Sequence, residues 1–331
     1  MGFVYRLREI ALFDFLPPKT IDEHEANAIK TAIWSSVDKL YKSTKRPTTL
    51  FHYTDAAGLK GIVESGKLRS THIAYMNDAS EYLHAVQLLS DDIHRKQASV
   101  SDSLQKQLLD YLEPAVSRTR PQDVAPYFVA CFSEEEDSLS QWRAYGRGEG
   151  GFSIGFDPTA LFYKANSLPS YLTPAIYDRE QQATLVNEIV TWALNEYSRL
   201  AVKYPKEKRD EHRQDWGHVL LWLASAVAPI MKNPAFTEER EWRLIYLLQS
   251  KNEIQFLPRT TGLVPFVELK LGEPRSSKDG QSQPDLLPIR KLWSGPGRFT
   301  ETSLLAGRTL LEQNGYDGVG LAASKIPFRV G

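Results

Sequence analysis

Cysteine is almost missing from this chain. The single Cys131 in 331 residues excludes an intrachain disulfide framework and any cysteine-cluster metal site, and it suits a reducing compartment. Long apolar runs are missing too: nothing approaches the roughly 20 residues that cross a bilayer. The opening MGFVYRLREIALFDFLPP has neither an h-region nor a cleavage site, so a cytoplasmic location and no membrane partner are expected. Charge of one sign is not in excess, with 40 Lys and Arg against 41 Asp and Glu. That balance argues against a bulk polyanion binder and leaves room for a local patch. Walker A, H-E-x-x-H and zinc-spaced histidine pairs do not occur, which removes P-loop and zincin chemistry and gives no reason to expect a metal. Repeats and low-complexity tracts are absent as well, so one elaborated domain is the simplest organisation.

What is present is a composition able to build a large core, 42 % apolar and 24 % charged. Thr20 and Glu23 have capping-box spacing, and Ala26, Ile29, Ile33, Val37, Leu40 and Tyr41 then recur at helical period as far as Pro47. Residues 1–49 therefore read as an N-terminal helical extension, and 50–331 as the domain. Within it, Leu50 to Tyr53 reads as a strand, followed by a helix that Thr54 can cap and Gly66 ends, and by a strand from Lys67 to Ala74. Helices are expected from Asn77 or Asp78 to about His94, from Leu104 to Val116, and as an insertion over about 179–232. Strands are expected at Tyr127 to Phe132, Gly151 to Phe156, Glu241 to Leu248, Gln255 to Leu257, Phe266 to Leu271 and Ile289 to Trp293. A last helix, Thr302 to Gln313, precedes a closing strand, Gly318 to Ala322. Without regular βαβ alternation the fold class is α+β.

Gly146 to Gly151 satisfies G-x-G-x-x-G, yet a dinucleotide fingerprint has a strand before it and a helix after it, and here a strand follows. Four other features carry chemistry. His52, with Tyr53 and Thr54, ends a buried strand, as a satisfied core histidine or as a ligand anchor. Ser140-Gln141-Trp142-Arg143-Ala144-Tyr145 packs two aromatics, an arginine and a serine into a turn-like segment, either plugging the core or forming a wall on which a planar ring stacks. Glu238, Glu239 and Glu241 crowd the mouth of a strong strand, with Glu239 and Glu241 on one face. Asn77 and Asp78, with Glu81, are first of all a helix cap. A histidine to anchor a sugar, an aromatic for a flat heterocycle and a glutamate for positive charge are what cleavage of an N-glycosidic bond requires, nicotinamide being the leaving base.

The succession LFHYTDAAGLKGIVESGKLRST, MNDASEY, ACFSEEEDSLSQWRAYGRGEGGFSIGFD, FTEEREWRLIYL and SKIPFR resembles the bacterial domain-of-unknown-function family numbered 2971, from about Leu50 to Arg329. That family is similar in turn, through sparse motifs, to the ADP-ribosyltransferase superfamily. Its members have a split β-sheet core with a His or Arg on the first core strand, a Tyr or Ser on a middle one and a Glu on a later one.

The resemblance implies NAD as substrate. It places His52 on the NAD ribose, with Tyr53 and Thr54 beside it, and Glu241 on the nicotinamide ribose as stabiliser of the ribosyl cation. Glu239 is implied as the acceptor-orienting acid of an E-x-E pair. Tyr145 or Ser153 would hold the middle position. Ser140, Trp142 and Arg143 belong to the uncharacterised family's own pattern, and Arg143 would meet a cofactor phosphate or one of the acids from Glu134 to Asp137. The implied activity is transfer of ADP-ribose to a protein or nucleic acid, or hydrolysis of NAD, in the setting of a bacterial toxin or an anti-phage defence. The alternatives are a non-catalytic nucleotide- or nucleic-acid-binding module built on Trp142, Tyr145, Arg143 and Arg147, and an interaction scaffold in which His52, Tyr145 and Glu241 lie far apart.

Overall fold

The computed structural model describes residues 20–22, 44–76, 80–118, 127–146, 150–259, 262–275 and 283–327, with single positions between 24 and 42 that are helical. Glu23, Asn77, Asp78, Arg147 and Arg329 lie outside the described residues. Strand β1 (Leu50–Thr54) leads into helix α1 (Ala56–Ser65), which Asp55 caps, not Thr54: its carboxylate accepts from the Gly58 N–H at 2.7 Å. The helix ends at Gly66, whose φ of +65° is the left-handed region; a Cβ there would stand 2.2 Å from the Asp285 carbonyl oxygen, so only glycine fits. Strand β2 (Lys67–His72), helices α2 (Ser80–Ser99) and α3 (Ser103–Arg118) and strand β3 (Tyr127–Ser133) follow in the expected order.

The stretch expected as a turn over Ser140 to Gly146 is instead two turns of helix, α4 (Leu139–Tyr145). After β4 (Phe152–Phe156), Asp157 caps an unanticipated helix α5 (Pro158–Ala165), with proline at its first position, and an equally unanticipated strand β5 (Ser170–Pro174) follows. Helices α6 (Arg179–Ala201) and α7 (Arg209–Val227) occupy the expected insertion. Strands β6 (Glu241–Leu247), β7 (Gln255–Arg259), β8 (Gly262–Lys270) and β9 (Ile289–Ser294), helix α8 (Thr300–Gln313) and strand β10 (Gly320–Ala323) complete the chain.

The ten strands form one mixed, mostly antiparallel sheet in the order β10-β9-β4-β1-β3-β2-β8-β7, with β6 along β3 and β5 outside β6; only β9 and β10 run parallel. Strand β3 is a fork. Strand β6 pairs with all seven of its residues, while the opposite edge is shared: β1 holds one end through Phe51 opposite Ser133, and β2 holds the other through Thr71 and His72.

Both faces at β3 are covered, which is why its sequence is a continuous apolar run and does not alternate. Tyr127 and Val129, with Ile245 of β6, pack under α2, α3, α6 and α7; Phe128, Ala130 and Phe132, with Trp242 and Leu244, pack on the other side with α1 and α5. On the first face the apolar pattern stops toward the β1 end of the fork, where Cys131, Ser133, Glu241 and Arg243 take its place.

Candidate functional site

Residues opposite one another in an antiparallel ladder share a face, so Phe51, Ser133 and Glu241 form a row across β1, β3 and β6. The Ser133 hydroxyl donates to the Glu239 carbonyl oxygen at 2.7 Å and accepts from the Glu135 N–H at 3.0 Å, which ties the loops after β3 and before β6 together. Arg240, at φ +42° between Glu239 and β6, turns the chain into the strand, and its carbonyl accepts from the Glu134 N–H.

Glu241 is 5 % exposed. One carboxylate oxygen accepts from Arg243 Nε at 2.7 Å and the other from the Lys232 ammonium, while its backbone N–H donates to the Tyr177 hydroxyl. Lys232 also donates to Glu239 at 2.5 Å, and Arg243, fully buried, donates to the Pro229 carbonyl oxygen at 2.9 Å. Burial alone would raise the Glu241 pKa; Arg243 and then Lys232 outweigh it and hold the carboxyl down at about 2. For Lys232 the same balance runs the other way, burial being overcome by Glu241 so that its pKa is raised. Buried ions are tolerated here because each is paired.

His52 projects where β1 leaves β3. Its Nδ1 lies 2.8 Å from the Cys131 carbonyl oxygen, which can only accept, so Nδ1 carries the proton. Burial lowers the His52 pKa, so the ring is neutral and presents Nε2 as an acceptor. The imidazole thus supplies to β3 a donor that the departing strand no longer provides. Tyr145, at the end of α4, is half-buried against Phe51, Tyr53 and Trp142. Its pKa is raised by burial first, then by Cys131 and Glu241. Tyr145 and Glu241 thus both neighbour Cys131, whose thiol pKa is pushed well up by burial and by Glu241. His52 reaches only the Cys131 carbonyl: it pairs with Ile154 and lies beside Phe132, on the face of the sheet opposite Glu241.

The other expected positions have definite places. Tyr53 is buried as a strut, its hydroxyl donating to the Glu135 carbonyl oxygen and accepting from the Ser138 N–H. Thr54 is half-buried at the end of β1, and the Ser140 hydroxyl pairs with that of Ser138 at 3.0 Å. Trp142 is 3 % exposed, edge-on to Tyr53 at 4.7 Å with Nε1 donating to Asp137, so Trp142 plugs the core and offers no open face for a ring, which leaves Tyr145 as the aromatic of this segment that can. Arg143 is exposed and forms no ion pair with the 134–137 acids, which are engaged by Trp242, Arg240, Lys291 and Trp142. Ser153 is fully buried between Tyr53 and Trp293 on β4, across β1 from the fork.

Neither Tyr145 nor Ser153 stands on the strand between His52 and Glu241. Ser133 does, and its place at the end of the run YFVACFS was the available signal. Arg243 could have been found as the charged interior residue of an otherwise apolar strand; Lys232 carried no local signal. The glycines of Gly146 to Gly151 join a helix to a following strand, the reverse of the dinucleotide order, and Gly151, at φ +96°, lets β4 start against Gly146 and the Thr54 carbonyl. Among the described residues no group of three His, Cys, Asp or Glu is placed to hold a metal, and no helix is long and apolar enough to cross a membrane.

Residues 141–244, from within α4 into β6, match the family model described as Protein of unknown function (DUF2971), which supports the family expected from the sequence. The matched stretch contains Lys232, Glu239 and Glu241 and leaves His52 outside. No curated protein and no solved structure matches.

Proposed function

We propose that this chain binds NAD and breaks its nicotinamide N-glycosidic bond, passing ADP-ribose to a macromolecular acceptor or to water. The observation that carries the reading is the ionised Glu241 at the fork of β3, beside Cys131 and Ser133 on one face of the sheet, with Tyr145 next to the same residues. A sheet that forks at β3, with a histidine on the first strand and a glutamate on the strand beyond, supports the likeness to ADP-ribosyltransferases, and we take Ser133, between them in the sheet, as a further candidate for the middle position beside Tyr145 and Ser153.

The chemistry follows from the side chains. The Tyr145 ring, beside Cys131 and Glu241, lies against the nicotinamide. As the C1′–N bond breaks, its electron pair neutralises the pyridinium nitrogen and positive charge builds on the ribose, where the Glu241 carboxylate is worth most because it is ionised and shielded from water. The acceptor's lone pair closes on C1′ and its proton leaves to Glu239 or to solvent.

The test is NAD labelled in the nicotinamide and in the adenine, incubated with cell lysate and either the wild type or Glu241→Gln, both checked for folding by thermal melting. Nicotinamide release above background in wild type, falling by roughly 100-fold or more in the variant, is expected from the loss of one preorganised electrostatic group. Equal activity in the two proteins, or none in wild type, rejects the reading. Binding without release leaves the nucleotide-binding alternative.

A further inference from the structure

Lys232 begins the turn that returns the chain to β6. Its backbone is pinned, the N–H donating to the Ile176 carbonyl oxygen at 3.0 Å and its own carbonyl accepting from Gln182 Nε2 at 2.8 Å, so the peptide is fixed and any movement of the ammonium falls to the side-chain torsions. The ammonium meets Glu239 and Glu241, with the Phe236 ring centroid 5.5 Å away. The titratable and charged groups around it are Glu241 and Arg243 from β6, Glu239 from the turn, Cys131 from β3, Tyr145 from α4 and Tyr177 before α6.

Two carboxylates, one ammonium and one guanidinium sum to zero. A neutral cluster is a weak partner for a cation, whereas a cluster of net −1 at the same depth is a strong one. Nor are its two cations equivalent. The Arg243 side chain is wholly buried and tied to Pro229, whereas Lys232 bridges the deep Glu241, its side chain 4 % exposed, and the more open Glu239, 19 % exposed. Lys232 is therefore the outer cation, and a ligand approaching Glu241 meets it first.

We infer that Lys232 is the resident occupant of a cation slot: its ammonium joins the Glu239–Glu241 pair while the site is empty and withdraws when a planar cation such as a pyridinium enters, an inference that rests on the reading of the site given above. Withdrawal changes the cluster from neutral to −1 as the positive ligand arrives, so the charge that stabilises the ligand is uncovered only when it is needed. Phe236, half exposed at the slot, supplies a ring face for either cation.

Calorimetric titration of the purified chain with 1-methylnicotinamide, a pyridinium cation, and with neutral nicotinamide tests this. The cluster charge is −1 in Lys232→Met, 0 in wild type and in Lys232→Met/Glu239→Gln, and +1 in Glu239→Gln. Affinity for the cation is expected to follow that ladder, about tenfold tighter in Lys232→Met than in wild type, near wild type in the double variant and weaker in Glu239→Gln, with nicotinamide flat throughout. If Lys232→Met does not fold, the double variant against Glu239→Gln carries the comparison. A flat ladder, a ladder followed equally by nicotinamide, or no cation binding in any protein overturns the slot. Nicotinamide release from NAD is read separately: a charge ladder without release rejects the glycosidic chemistry and keeps the slot, and release with a flat ladder does the opposite.

Discussion

Replacing Glu241 with glutamine is expected to flatten part of the acid limb of this protein's stability, by an amount that follows from the ion cluster. A carboxyl held near 2 in the fold and at its ordinary 4.5 in the unfolded chain stabilises the fold above 4.5, and the contribution drains away as pH falls toward 2. At 5 % exposure Glu241 loses little of this to solvent screening. Linkage over those two values gives a loss of about 2 kcal/mol between pH 5 and pH 3, within a full contribution of about 3 kcal/mol. At neutral pH the variant starts roughly 3–5 kcal/mol less stable, because Lys232 and Arg243 are left facing an amide. The gap between wild type and Glu241→Gln should therefore be widest near pH 6 and narrower by about 2 kcal/mol at pH 3. Guanidinium unfolding of both proteins at each half pH unit reads that gap directly, since all carboxylates outside the cluster titrate in both and cancel. Glu239 is the neighbour whose titration the substitution also alters, so Glu239→Gln is run alongside. A gap that is the same at pH 3 and pH 6 would mean that Glu241 is not held by Arg243 and Lys232, and the electrostatics argued for the site would fall with it.

His52→Phe keeps a ring beside Phe132 and removes the donor to the Cys131 carbonyl; the cost should be about 1–3 kcal/mol in chemical denaturation, the range for one buried acceptor left unpaired. Because burial lowers the His52 pKa below its ordinary 6.5, wild type should also lose stability as pH falls through 6.5 and the unfolded chain takes up the proton, a component that the variant lacks. Gly151→Ala should destabilise by more than about 1 kcal/mol, since its φ of +96° strains any side chain and the new Cβ would stand 2.7 Å from Gly146 Cα. A variant as stable as wild type would show that β1, α4 and β4 do not close on one another through these glycines.

What could be read from the sequence divides along a physical line. Strands β1, β3 and β6 were legible because both faces are covered and most of their residues are apolar or aromatic, so burial wrote itself into the chain. Helix α4 was not, because two turns carrying Ser, Arg and Tyr hold too few residues for a period to show, and what fixes them is tertiary: Trp142 lies edge-on to Tyr53 and its Nε1 donates to Asp137. Helix α5 was missed although its cap and first-turn proline, Asp157 and Pro158, stand plainly in the sequence. The site follows the same division. His52 and Glu241 could be named from their positions at strand ends, but that Ser133 shares a face with Glu241 while His52 points to the other follows only from the register of β3 between β1 and β6. Lys232 is nine residues from Glu241, yet nothing in N-P-A-F-T-E-E foretells that the turn folds its ammonium back between the two carboxylates. Motif reading finds the residues that could carry a charge; which of those charges cancel is decided by the turn, and at this site the cancellation by Lys232 and Arg243 determines whether Glu241 meets a ligand as part of a neutral cluster or as a net anion.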